Sequence, residues 1–394
     1  MANQFKVLVL NQISQTGLKR LPAERFVVGK EFAEPDLILV RSADMHSMEI
    51  PASVKAVGRA GAGTNNIPVK NLSGRGIPVF NTPGANANAV KELVIAGMLM
   101  SARNIAGALE YVSGLDCNDE SLEKKVEDGK KQFSGCELAG HTLGIIGLGK
   151  IGCLVADAAI GLGMQVLGYD PEITVDAAWS LPSQVKKANS IDDVLKNSHF
   201  ITLHVPLIEA TKGMINKEKL ANVKQGAVLL NFAREGVVNQ EAVLAALEGK
   251  KLSYYVCDFP GAAVIGKPRV IALPHLGAST REAEENCAAM VAEQVRDYME
   301  HGNILNAVNF PNMNMPRESR FRIAIANANV PNMVGQISTT MAQSGLNIHN
   351  MMNKSKGEMA YTLVDVDSDV PKKVIDAIGK IKGVLAVRYL PMEG

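Results

Sequence analysis

Short runs of consecutive apolar residues, each followed by a helix-like pattern, recur through about the first three-quarters of the chain. The runs fall at residues 6–10, 37–40, 54–57, 142–146, 165–169, 200–204, 227–231, 252–257 and 270–273. Several are apolar on both faces, as in Ala227-Val228-Leu229-Leu230. That is the pattern of parallel strands covered by helices on both sides. Asn239 predicts an N-cap for a helix over 240–248, and Ser279 with Glu282 predicts a capping box opening a long helix over 281–301. Alternating strand and helix predicts a doubly wound α/β sheet. Beyond His301 the pattern changes. Residues 309–316 are polar, hold two prolines and show no periodicity, so they read as a linker. A strand at 321–327, a helix at 332–344, strands at 346–353 and 359–366, a helix at 371–381 and a strand at 384–390 follow. The order βαββαβ is ferredoxin-like.

Composition narrows the function. A length of 394 residues predicts two or three domains. Lys+Arg is 41 against Asp+Glu 40, a net charge of +1, which argues against a nucleic-acid partner. Apolar residues make up 47% and charged residues 21%, which excludes long disorder. Apolar stretches such as 94–100 fall short of the roughly 18–20 residues that span a bilayer, so no membrane partner is expected. Residues 5–10 read directly as a strand, without a signal-peptide layout. Five cysteines, none in a C-x-x-C pair, fit reduced thiols in a cytoplasmic protein better than disulfides or a metal site. The 35 glycines call for tight turns or close ligand approach.

The sharpest motif is Gly147-Leu148-Gly149-Lys150-Ile151-Gly152. It follows an apolar strand and opens an Ala-rich helix, and Asp170 ends the next strand 23 residues after Gly147. This is the context a dinucleotide fingerprint requires. Gly147 permits the turn, Gly149 lets the backbone approach a pyrophosphate, and Gly152 allows close helix–strand packing. Asp170 would bind ribose hydroxyls and repel a 2′-phosphate, which favours NAD over NADP. Arg234 and His275 each follow a predicted strand, where α/β active sites form. A guanidinium fork suits a carboxylate, and a neutral imidazole suits a hydroxyl proton. Taken one at a time, a surface ion pair and a loop histidine remain open for them.

Further segments carry a resemblance. They are Gly58-Arg59-Ala60-Gly61-Ala62-Gly63-Thr64-Asn65-Asn66, Asn81-Thr82-Pro83 with Asn86 and Glu92, Thr202-Leu203-His204-Val205-Pro206, Ala233-Arg234-Glu235-Gly236 and 274–280. With 147–152, they make the chain resemble the D-isomer-specific 2-hydroxyacid dehydrogenases. The resemblance implies two Rossmann-like domains, with the substrate domain discontinuous. It would run over 1–95 and 285–310 around an NAD domain at 96–284, with the catalytic cleft between the two. It makes Arg234 the carboxylate ligand and His275 the acid/base. It places His204, Val205, Pro206, Phe232, Ala233, Asp258, Gly277 and Ala278 at the cofactor. Arg41, Ser42, Arg59, Gly61, Ala62, Gly63 and Asn86 would face substrate, with Arg41 or Arg59 on a substrate phosphate. The implied reaction is NAD-dependent oxidation of 3-phospho-D-glycerate, the first step of L-serine biosynthesis, in a homodimer or homotetramer. Another D-2-hydroxyacid dehydrogenase, acting on hydroxypyruvate or glyoxylate, and a non-catalytic NAD sensor are the alternatives.

One departure stands out. The family places a glutamate beside its histidine, in a stretch that here reads Asp258-Phe259-Pro260-Gly261-Ala262-Ala263. Asp258 is the only carboxylate there, and we expect an active enzyme whose histidine partner is not the usual glutamate. After a linker at 311–319, residues 320–394 resemble an ACT domain. Asn329 and Asn347 match two of its amide ligands for an L-serine effector, and Asn327, also expected at the effector, stands where the family has a histidine; a pure dimerisation module is the alternative.

Overall fold

A computed structural model describes residues 4–392. The chain forms two compact units, one of Asn86–Ala283 and one that joins the residues up to Ala85 to those from Glu284 onward. The expected boundary at 95/96 differs, because the helix Ala87–Ala102 lies whole in the first of these.

The unit Asn86–Ala283 is built on a seven-stranded sheet. Its spatial order is Val270–Ala272, Leu252–Cys257, Ala227–Asn231, Phe200–Leu203, Thr142–Ile146, Gln165–Tyr169, Lys186–Lys187, and every pair is parallel. Counted along the chain this is the doubly wound order with one strand added at an edge. Chain direction across the sheet reverses between Thr142–Ile146 and Phe200–Leu203. Both faces carry apolar cores, which explains the strands without alternation. Asn239 caps the helix Gln240–Glu248 as expected, its Oδ1 accepting from Ala242 N at 2.8 Å.

The other unit holds a five-stranded parallel sheet in the order Phe26–Gly29, Phe5–Val9, Leu37–Val40, Ala56–Arg59, Val79–Phe80. The edge strands Phe26–Gly29 and Val79–Phe80 are too short to stand out in the sequence. The helix Arg281–His301 lays Cys287, Ala288, Val291, Val295, Tyr298 and Met299 into the core of this sheet. Its N-cap is not the expected Ser279 box. Thr280 Oγ1 accepts from Ala283 N at 3.0 Å, because the helix begins one residue later than Ser279 requires.

The C-terminal part is the expected βαββαβ. Its antiparallel sheet runs in the order Ile348–Lys356, Met359–Val366, Phe321–Ala328, Val384–Pro391. Ile323, Ile325, Val364 and Val366 pack on one face with side chains of the helices Met333–Gln343 and Lys372–Gly379. Ala324, Ala326, Tyr361, Leu363 and Leu390 on the other face belong to one core with Tyr298, Met299, Phe310, Met313 and Met315. The expected linker is therefore no tether. Its prolines break periodicity, but Phe310, Met313 and Met315 are fully buried.

Arg322 secures this junction. Its guanidinium is wholly buried and forks onto Asp365, Nε to Oδ1 at 2.6 Å and Nη2 to Oδ2 at 2.8 Å. Its remaining N–H groups donate to the carbonyls of His301, Met315 and Pro316, each at 3.0 Å. All five guanidinium donors are thus used, which is what makes a buried charge tolerable. Arg388 donates to Tyr298 O and Met299 O at 3.1 and 2.9 Å, and Tyr361 OH to Gly302 O at 2.8 Å. These carbonyls end the helix Arg281–His301, where intrahelical partners run out.

Among the described residues, no single helix is long and apolar enough to cross a membrane. None of their His, Cys, Asp and Glu side chains gather into a group that could hold a metal ion.

Candidate active site

The loop after Thr142–Ile146 lies at the sheet's switch point, where open α/β sheets bind ligands. Gly147 has φ +96° and its backbone lies against that of His204, so that a Cβ there would come 2.6 Å from His204 O. A Cβ on Gly152 would lie 2.1 Å from Gly147 O, whereas one on Gly149 would meet nothing within 4 Å. The cradle is open over Gly149 alone, ahead of the N-terminus of the helix Lys150–Gly161, which Lys150 and Ile151 begin. Asp170 stands at the end of the neighbouring strand. Its Oδ2 accepts from Leu148 N at 2.8 Å and its Oδ1 from Glu172 N at 2.9 Å. The carboxylate is thereby fixed beside the loop with acceptor capacity left for ribose hydroxyls. An open glycine, a helix N-terminus and an anchored acid fit a dinucleotide. His204 packs behind this loop. Burial pushes its imidazole down to about 3, its Nε2 meets Thr202 Oγ1 at 3.0 Å, and its Nδ1 has no partner among the described residues. His204 is thus a neutral packed side chain; Val205 and Pro206 continue from it.

Three more loops leave the carboxyl ends of the consecutive strands Ala227–Asn231, Leu252–Cys257 and Val270–Ala272. Asn231, buried at the end of one, accepts from Ala233 N at 3.1 Å and donates to Arg234 O at 2.9 Å. This amide shapes the Phe232-Ala233-Arg234 turn; an Asn ending a strand was its only signal in the sequence. The Arg234 guanidinium donates to Ala233 O at 2.7 Å and lies 4.9 Å from the centroid of the Phe259 ring. Burial lowers its pKa, while the charge of Asp258 works the other way. His275, at φ +56°, has its ring 4.3 Å from the same Phe259 ring. One aromatic ring is therefore in contact with both the guanidinium and the imidazole. No motif in the sequence marks Phe259 for this role.

Asp258 holds the histidine loop. Its Oδ1 accepts from Leu276 N at 2.7 Å and its Oδ2 from Gly277 N at 2.9 Å, and its carbonyl accepts from His275 N at 3.1 Å. Burial raises its pKa, against the two amides and the charges of His275 and Arg234. Gly277 is buried against Asp258 and Val90, and Ala278 follows it toward the helix cap.

A model described as the NAD binding domain of the D-isomer specific 2-hydroxyacid dehydrogenases matches residues 95–277. The D-3-phosphoglycerate dehydrogenase of Haemophilus influenzae is 31% identical over 87% of this chain and 83% of its own length. The chain belongs to the D-isomer specific 2-hydroxyacid dehydrogenases. The D-3-phosphoglycerate dehydrogenase of Bacillus subtilis is 35% identical over 78% of this chain and 60% of that protein. The chain spans only 53–60% of the length of three curated relatives that are each 35% identical to it. A crystal structure of NAD+-bound 3-phosphoglycerate dehydrogenase from Entamoeba histolytica superposes with a TM-score of 0.60 and 26% identity. It covers 78% of this chain and 99% of the other. The stretch matched by the NAD binding domain model contains Gly147–Gly152 and Asp170.

The second unit gathers the other expected substrate residues. Arg41 follows the strand Leu37–Val40, and its Nη2 pairs with Glu284 Oε1 at 2.6 Å. Its backbone N donates to Asn11 Oδ1 at 2.9 Å, and Asn11 Nδ2 donates to Ser42 Oγ at 2.9 Å. Arg59 donates to Arg41 O at 3.0 Å and to Gly63 O. Arg59 thus ties the loop Gly61-Ala62-Gly63 to the Arg41 loop. Asn86 precedes the helix Ala87–Ala102 of the other unit, without a side-chain capping bond.

The three amides expected at an effector diverge. Asn327 is only 1% exposed and its Nδ2 donates to Ala328 O at 2.8 Å, because it lies on the helix-covered side of its sheet. It is not presented to a ligand. Asn329 donates to Gly357 O at 3.1 Å and Asn347 to Asp367 Oδ2 at 2.5 Å, both at the surface.

Proposed function

We propose that this chain oxidises 3-phospho-D-glycerate to 3-phosphohydroxypyruvate with NAD, the entry reaction of serine synthesis. The observation that carries the reading is that Arg234 and His275, beyond the two strands that pair with Leu252–Cys257, both contact the Phe259 ring in the NAD-binding unit. Bound NAD supplies the hydride acceptor. His275 takes the hydroxyl proton as the carbinol carbon loses hydride, and Arg234 holds the adjacent carboxylate with two parallel N–H donors. Phe259 restricts both side chains and shields one side of each from water. Asp258 fixes the loop that delivers the imidazole. Arg41, steered by Glu284, is the cation for the phosphate.

An absorbance assay in the nicotinamide band, run with 3-phosphoglycerate and then with other 2-hydroxy acids, tests this. Oxidation of phosphoglycerate alone supports it. Turnover only with glyoxylate or hydroxypyruvate makes it another D-2-hydroxyacid dehydrogenase, and no turnover beside NAD binding makes it a sensor. Replacing Arg234 with Lys, which cannot fork, raises the KM for the hydroxy acid by about ten- to a hundredfold, read from initial rates.

Two assembly readings accompany this one. The helix Ile105–Ser113 buries no residue and exposes Leu109 and Val112 at 62% and 55%. A second copy of the chain is its proposed partner, and sedimentation equilibrium tests it. L-serine is the proposed effector at Asn329 and Asn347, and isothermal titration with L-serine tests that.

A further inference from the structure

The strand Phe5–Val9 pairs in parallel with Leu37–Val40, with Val9 opposite Leu39. That register carries Asn11 beside Arg41, just past the carboxyl ends of the two strands. Asn11 bonds the neighbouring loop with both ends of its amide. A backbone N–H can only donate, so the atom that Arg41 N meets at 2.9 Å is the Asn11 oxygen. This fixes the amide in one orientation and leaves Nδ2 as the atom 2.9 Å from Ser42 Oγ. An amide NH2 also only donates, so the Ser42 oxygen is the acceptor. The Ser42 hydroxyl proton therefore points away from Asn11, and no group among the described residues accepts it. Ser42 is exposed, so this proton is offered to solvent.

We infer that Asn11 is a positioning residue that makes Ser42 a fixed hydrogen-bond donor for the anionic end of the substrate, beside the Arg41 guanidinium. The inference deepens the reading of Arg41 as the cation for the phosphate, and it rests on that reading. The loop is tied along its backbone. Asn11 holds Arg41 N, Arg59 Nε donates to Arg41 O at 3.0 Å, and Asn66 Nδ2 donates to Ala43 O at 2.7 Å. An anion therefore meets donors that are already in place, and little ordering is left to oppose binding. Charge alone does not make this place selective. Glu284 Oε1 lies 2.6 Å from Arg41 Nη2 and offsets much of its charge. A hydroxyl has no charge for a carboxylate to cancel. It adds a directed O–H···O bond, which is short and strong when the acceptor is an anion. Phosphate oxygens accept such a bond, whereas a substrate that ends in a neutral hydroxyl makes a weaker one. Asn11 and Ser42 thus select the phosphorylated acid over the same acid without its phosphate.

Two variants and two readouts test it. Asn11→Asp keeps the shape and the bond to Arg41 N, but its second oxygen takes the Ser42 proton. Ser42→Ala removes the donor outright. Initial rates are measured on 3-phosphoglycerate and on D-glycerate, and inorganic phosphate is titrated into the free protein by phosphorus NMR. Each variant is expected to raise the KM for 3-phosphoglycerate by about ten- to a hundredfold. The kcat moves far less, as does kcat/KM for D-glycerate, and inorganic phosphate binds more weakly in parallel. Placing Asn11→Asp in the Ser42→Ala background separates the hydroxyl from the added charge. There it costs little further, because the two residues act through one donor. An unmoved KM for 3-phosphoglycerate in Ser42→Ala overturns the inference, and so does an Asn11→Asp cost that is the same in both backgrounds. A wild-type protein that oxidises only unphosphorylated acids overturns the functional reading instead. In that protein, phosphate binding weakened by both single variants leaves the Asn11–Ser42 donor standing, and no phosphate binding at all overturns both.

Discussion

Gly149 and Gly152 lie in one turn of chain and respond differently to an added methyl group. At Gly152 the methyl meets the Gly147 carbonyl at 2.1 Å, so substitution damages the fold itself. At Gly149 it meets nothing within 4 Å. Gly149→Ala is therefore expected to hold its thermal stability within about 0.5 kcal/mol. It weakens NAD by about tenfold or more, or roughly 1.4 kcal/mol, and calorimetry beside cofactor titration separates the two effects. His204 supplies a pH signature. Its folded pKa is about 3 against 6.5 for a free imidazole. Between those values the unfolded chain binds a proton that the folded one refuses. Its contribution is whole above about 6.5 and is lost as pH falls toward 3. The melting temperature of His204→Gln should fall less steeply through that window in scanning calorimetry. The motif glycines, Asp170, Arg234 and His275 were legible in the sequence because each follows an apolar strand. Asn231 and Phe259 were not, since their roles depend on which loops the sheet order makes adjacent.

Among the elements, the helix Arg281–His301 shows how end chemistry decides boundaries. Ser279 and Glu282 have capping-box spacing, yet the capping oxygen belongs to Thr280. Pattern located this helix to within a residue, but the choice of cap depends on the path by which the histidine loop enters it. Thr280→Ala leaves the Ala283 amide without its partner and costs about 1 kcal/mol, seen as a lower denaturant midpoint. Ser279→Ala should be close to silent. The parallel strands of the NAD-binding unit were readable because two-sided burial leaves continuous apolar runs. Phe26–Gly29 and Val79–Phe80 were not, being short edge strands completed by pairing to one neighbour. In the final sheet, Asn327 matched a ligand position by resemblance, but its side chain lies on the face that the helices Met333–Gln343 and Lys372–Gly379 cover.

Across the molecule, the C-terminal sheet is an integral part of the unit that holds Arg41. Its second face shares a core with Tyr298, Met299 and Phe310, and Arg322 threads the junction. Ending the chain at residue 316 would expose that core and strip the carbonyls of His301, Met315 and Pro316 of their buried donors. Such a truncation is expected to aggregate or to melt well below the full chain, where a detachable regulatory module would leave a stable enzyme. Thermal melts of purified material distinguish the two. Breaking the pair alone, by Arg322→Met, leaves Asp365 buried without its cation and costs about 3–5 kcal/mol. The shared core also sets an order of assembly. Val7, Leu39 and Phe80 from the start of the chain are packed in one cluster with Val291, Tyr361 and Leu390. On a ribosome the first sheet waits for nearly the whole chain to emerge, while Asn86–Ala283 can fold during the wait. Loops closed over such separations are slow to form. Refolding from denaturant should show a fast phase from the NAD-binding unit and a later one from the joined termini. The late phase is where chaperones or aggregation would act.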